Sequence, residues 1–89
     1  MPLTQLPEKI RAIRRFLHLR QHDMAERLGI SIEAYSKLER GKTRLHLARL
    51  QQIADIFGLE TNQMMTLDQE ELLPMLREKK KAAHFPVSC

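Results

Sequence analysis

The sequence predicts an all-α domain of five helices with a C-terminal helical extension. Three observations carry this. Apolar residues recur at spacings of three and four along the chain, as in Leu6, Ile10, Ile13 and Leu17. Gly41 and Gly58 each follow such a stretch, where a helix ends on a residue that takes φ > 0. Between them and the N-terminus, Gln21 to Arg40 reads as two short helices joined by a tight turn at Gly29.

In chain order, Met1 to Leu6 reads as a loose arm. Pro7 suits a first helical position and Glu8 the positive end of a helix dipole. The first helix is expected over Pro7 to His18, with Lys9, Arg11, Arg15 and the bordering Arg14 on its outward face. Leu19 and Arg20 form the link. The second helix is Gln21 to Leu28, and Ser31 is a good N-cap for the third, Ile32 to about Arg40. Met24, Ala25, Leu28, Ile30, Tyr35 and Leu38 face inward. Gln21, Glu33, Ser36, Lys37 and Arg40 are left outward, with Ile32 the apolar exception. Lys42-Thr43-Arg44 is a basic loop. Leu47, Leu50, Ile53, Ala54 and Phe57 mark a fourth helix over His46 to Phe57. Leu59 to Leu67 is the fifth, with Met64, Met65 and Leu67 as core.

The division is therefore 1–67 for the domain and 68–89 for the extension. Thr66 to Gln69 or Asp68 to Glu71 can form a capping box there. Pro74 either kinks the following helix or starts a new one. Leu72, Leu73 and Leu76 exceed what a complete domain requires. They point to a contact with another chain, or they fold back on the domain's own core. Lys79 to Lys81 reads as a solvated helix end, and Ala82 to Cys89 as a frayed tail.

At 89 residues the chain holds one modest core. A hydrophobic content of 43% with 29% charged residues is globular. No apolar run approaches a membrane span, and the N-terminus lacks a signal-peptide block. The one cysteine, Cys89, excludes an internal disulfide, so a cytoplasmic location is expected. The net charge of +4 is unevenly spread. Lys9, Arg11, Arg14, Arg15 and Arg20 cluster first, then Lys37, Arg40, Lys42, Arg44 and Arg49, whereas Leu50 to Leu76 has no Lys or Arg. Clustering of this kind fits a polyanionic partner, and it equally fits ordinary solvated helix faces. No metal site or cofactor is expected. His18 and His22 are separated by a helix break, and His46 and His84 are isolated. No nucleophile–base set and no glycine-rich phosphate loop is present, so an enzyme is not expected.

The run from Gln21 to Arg40 resembles the helix-turn-helix of the phage repressor and Cro (XRE-type) family. The residues that carry the resemblance are Gln21, Ala25, Gly29, Ser31, Leu38 and Glu39-Arg40-Gly41, and it extends over roughly Glu8 to Leu67. The chain departs from the family at several boundaries. His18 stands where a glycine is usual, Arg20 where a Ser or Thr caps, Leu45-His46 where Pro-Ser is usual, Glu60 where Ser caps, and Tyr35 where the core residue is β-branched.

The resemblance implies a repressor-like fold that binds double-stranded DNA through the third helix. That helix fits the major groove with its N-terminal residues on base edges. Ile32, Glu33, Ser36 and Lys37 then face the groove: Lys37 can donate to guanine, Glu33 can accept from cytosine N4, and Ile32 can pack on a thymine methyl. Glu33 can instead pair with Lys37 one turn on. Gln21 is assigned a phosphate and a neighbouring base. Arg20, Arg40, Lys42, Thr43 and Arg44 are assigned to the sugar-phosphate backbone. Arg14 and Glu39 correspond to a structural ion pair. A homodimer on a near-palindromic operator follows, with Leu72, Leu73 and Leu76 as the dimer contact. The alternative is an antitoxin-like module whose C-terminal segment clamps a partner protein.

Overall fold

The computed structural model describes residues 6–77. Five helices, α1 (Leu6–Phe16), α2 (Gln21–Leu28), α3 (Ile32–Glu39), α4 (Leu47–Phe57) and α5 (Thr61–Thr66), are followed by α6 over 69–77. No strand occurs among the described residues. The chain is all-α, as its periodicity predicts. The arm before Leu6, the lysines at 79–81 and the tail from 82 lie outside the described residues.

The helices close on one core. α2 packs on α3, α1 on α3, and α4 on both α2 and α5. Ile10 and Ile13, Met24, Tyr35, Ile53, Met64, and Leu72 and Leu76 are its largest fully buried side chains, from successive helices. Burying an aliphatic side chain of this size contributes about 1.5–3 kcal/mol. Leu6, expected in the arm, opens α1 and is buried. Met65, expected in the core, is exposed. α5 has only six residues and a single buried one, Met64, and the next residue is turned about 100° away.

Four of the helices end in the same way. The residue after the last turn adopts φ near +60 to +70, and two backbone N–H groups double back to close the orphan carbonyls. At α2 the residue is Gly29 (φ 71), with its N–H donating to Glu26 and that of Ile30 to Ala25. A Cβ at Gly29 would meet nothing within 4 Å, so the left-handed backbone alone demands glycine there. At α1 the same position is His18, φ 59. Its N–H donates to Arg15 and that of Leu19 to Arg14, both at 3.0 Å. An imidazole there carries strain of about 1–2 kcal/mol, less the chain entropy a glycine would lose. His18→Gly is expected to raise stability by about 0.5–1 kcal/mol, read as a rise in Tm of roughly 2–8 °C. An unchanged or lower Tm would show that His18 is relaxed in this conformation.

Helix starts compensate for missing caps. Arg20 cannot accept a hydrogen bond, yet its own N–H donates to Asp23 Oδ2 at 2.8 Å. That backbone bond, then the Arg20 side chain, holds the Asp23 carboxyl below its ordinary range. Ser31 Oγ accepts from the Ala34 N–H at 3.0 Å and caps α3. Asp68 and Glu71 form a reciprocal capping box at α6. Thr66 takes no part in one, because its hydroxyl donates to the Asn62 carbonyl.

Two charged residues expected on the outward face of α1 are inside. Arg14 is discussed below. Lys9 is 4% exposed, and its Nζ donates to the carbonyls of Met64 (2.7 Å) and Leu67 (2.5 Å). It thus satisfies the orphan carbonyls where α5 ends. Burial pushes its pKa down, and the Asp68 and Glu71 carboxylates oppose that shift. Lys9→Ala is expected to cost about 1–2 kcal/mol, since two carbonyls lose a charged donor. A urea melt measures it, and faster amide exchange in α5 and α6 should accompany it. Unchanged stability would mean that water replaces the ammonium.

Leu72 and Leu76 are 0% and 1% exposed and belong to the same core, with Leu73 packed at its edge. Of the two arrangements expected for these leucines, Leu72 and Leu76 adopt the fold-back on the domain's own core. α6 continues through Pro74, and no new helix starts there. The proline removes one in-helix N–H, and burial of leucines on both sides of it holds the helix together.

Candidate nucleic-acid interface

α3 lies on α2 and α1 by Tyr35, Leu38 and Glu39, all buried. Its other side is open. Ile32 is 47% exposed, which is unusual for an isoleucine and leaves an apolar side chain free at the first turn. Glu33 and Lys37 are exposed, and Ser36 is half-buried. No ion pair joins Glu33 to Lys37, so the i,i+4 pairing expected as an alternative is not formed.

The loop after α3 extends this face. Ser31, Glu33, Lys37, Thr43, Arg44 and Arg49 line one groove of about 360 Å³. Thr43 and Arg44 also line a second depression, together with Pro7, Arg40 and Gly41. The two share a wall, so Glu33 and Lys37, expected to touch bases, and Arg40, Thr43 and Arg44, expected to touch backbone, form one continuous surface, whereas Gln21, Ile32, Ser36, Arg20 and Lys42 line neither depression. Lys42 is exposed in the same loop. Arg40 is exposed, and its Nε donates to the Ser36 carbonyl at 3.4 Å. Arg20 is exposed at the start of α2, drawn toward Asp23 at 3.4 Å.

A charged cluster fixes this face from beneath. Arg14 Nε donates to Glu39 Oε2 at 2.5 Å and Nη2 to Oε1 at 3.2 Å, while Nη1 donates to the Leu19 carbonyl at 2.8 Å. One guanidinium thus ties α1, the α1–α2 link and the end of α3. Burial is the largest single influence and would raise the Glu39 pKa, but Arg14, Tyr35 and Gln21 together outweigh it and hold the carboxyl below its ordinary value. The bond to Glu39 in turn keeps Arg14 above its own. Tyr35 is fully buried beside the pair, and its hydroxyl closes no hydrogen bond of good geometry among the described residues. Burial first, then the Glu39 carboxylate, pushes its pKa far above the ordinary phenol range.

Two contacts were not anticipated from the sequence. Gln21 Nε2 donates to Glu39 Oε1 at 3.1 Å. Arg49 Nη1 donates to the Leu28 carbonyl at 3.3 Å and to Gln52 at 2.9 Å, so it closes the end of α2 from α4. The net positive stretch around Arg49 was a charge signal without a named acceptor.

Two short helices joined at a left-handed glycine, the second open along one side and flanked by cations, define a DNA-reading helix-turn-helix. A helix-turn-helix family model matches residues 10–64, and the chain belongs to the XRE-type, Cro/C1-like family of helix-turn-helix domains. Neither the curated proteins nor the solved structures compared with the chain include a match. The family is one of DNA-binding regulatory domains rather than of enzymes. Among the described residues no three His, Cys, Asp or Glu side chains group as metal ligands, and no helix is long and apolar enough to cross a membrane.

Proposed function

We propose that the chain is a sequence-specific regulator of transcription that reads double-stranded DNA with α3 and acts as a repressor. The observation that carries this is the continuous surface on which Glu33 and Lys37 share a groove with Thr43 and Arg44. In this reading Ile32, Glu33, Ser36 and Lys37 meet base edges, and Gln21 meets a phosphate and its neighbouring base. Arg20, Arg40, Lys42, Thr43 and Arg44 hold the backbone. Residues 1–67 form the reading unit, and Leu72 and Leu76 of α6 complete its core. Occlusion of a promoter needs no surface beyond the DNA-bound domain, which favours repression.

A homodimer on a near-palindromic operator, with half-sites about 34–36 Å apart, fits a domain that presents one recognition helix. Burial of Leu72 and Leu76 supports the DNA-reading function over one that clamps a partner protein with the acidic, leucine-bearing stretch from Leu50 to Leu76. The experiment is selection from random duplexes with the purified chain at roughly 0.15 M salt, where non-specific binding is weak. An enriched palindrome is the expected result. No enrichment, with affinity collapsing uniformly as salt rises, would defeat the specific reader.

A further inference from the structure

Glu39 holds more than the fold. Its Oε1 is shared between Arg14 Nη2 and Gln21 Nε2, and its Oε2 takes Arg14 Nε. A buried carboxylate accepts only, so the Gln21 amide has one orientation that bonds to it: nitrogen inward. A glutamine otherwise has three side-chain torsions to settle and two amide faces to choose between. We propose that Glu39 is a positioning residue for the DNA contact of Gln21: it commits one Nε2–H inward and leaves the second Nε2–H and Oε1 at the surface in a fixed register. This rests on the reading of Gln21 as a DNA contact.

The arrangement explains why a costly buried charge sits at the last residue of α3. Arg14 fixes Glu39 by two bonds and the α1–α2 link by a third, so the carboxylate cannot follow Gln21 if that side chain swings away. The first residue of α2 and the last of α3 are thereby held to one acceptor. The contact then forms on DNA with little ordering left to do.

The test is a double-mutant cycle in DNA affinity. Wild type, Gln21→Ala, Glu39→Gln and the double variant are titrated against the selected duplex, at a temperature where circular dichroism shows all four folded. Glu39→Gln keeps the shape but replaces one acceptor oxygen with an NH2, so a single oxygen is left for the three N–H donors of Arg14 and Gln21. Gln21→Ala is expected to weaken wild type roughly tenfold and the Glu39→Gln background by less than about twofold. Equal losses in both backgrounds would make Glu39 structural only and overturn the positioning role, with the regulator reading standing. Failure of wild type to enrich any duplex overturns both. Should Glu39→Gln not fold, the wild-type amide decides: one Gln21 Nε2 proton slowed in exchange and shifted in the NMR spectrum supports the role, and two freely exchanging protons overturn it.

Discussion

Arg14→Ala and Glu39→Ala should each cost about 3–5 kcal/mol of stability, because each strands a buried charge. Arg14 is 8% exposed and Glu39 3%, so water does not easily replace the missing partner. The loss is large against the roughly 5–15 kcal/mol that a domain of this kind has in total. Both variants should therefore unfold near room temperature or melt far below wild type. Exchanging both residues at once, Arg14→Met with Glu39→Leu, should cost less than either single change, since no charge is left behind. Two stably folded alanine variants with a selective loss of DNA affinity would defeat the structural account.

Acid should reproduce part of this effect. The folded Glu39 pKa lies below its ordinary value, so the stabilisation is present at neutral pH. It is lost as pH falls from about 4.5 through the folded value. Wild type and Glu39→Ala should thus converge in stability on acidification. A gap that stays constant down to the acid transition would place the stabilisation elsewhere.

What the sequence disclosed follows from which interactions leave a local trace. The helices α1 to α4 are legible because each buries a stripe at spacings of three and four, whereas α5 buries Met64 alone. Gly29 and Ser31 marked the turn through requirements of their own backbone. The sequence pattern places Lys9 on the outward face because it counts a lysine as solvated. Its acceptors, the carbonyls of Met64 and Leu67, are created only when α5 ends against α1. The Arg14–Glu39 pair entered through family resemblance, since nothing in spacing joins residues on two different helices. The Gln21–Glu39 bond had no signal at all. The leucines of α6 left two readings open, because an apolar side chain looks the same whether its cover is its own core or another chain.

The residues proposed to read bases should give the largest functional effect. Lys37→Ala and Glu33→Ala should each relax one base-pair position of the selected site and leave the others intact. Each should lose about 1–3 kcal/mol of discrimination, roughly 5- to 150-fold in relative affinity. The two differ in what remains. Glu33→Ala removes a negative charge from a cationic surface, so affinity for non-specific DNA should rise while discrimination falls. Lys37→Ala should lower affinity for the selected site far more than for random duplex. Arg44→Ala is the comparison: a backbone contact should weaken every duplex alike and reduce the salt slope by about 0.9. Because Glu33 and Lys37 share a groove wall with Arg44 but not an ion pair with each other, each is free to act alone on DNA. The positions relaxed by the two changes should therefore be distinct base pairs. If both variants lose affinity uniformly and keep every base preference, Glu33 and Lys37 only tune the charge of the face. Sequence would then be read by Ile32, Ser36 and Gln21, or through the shape of the duplex.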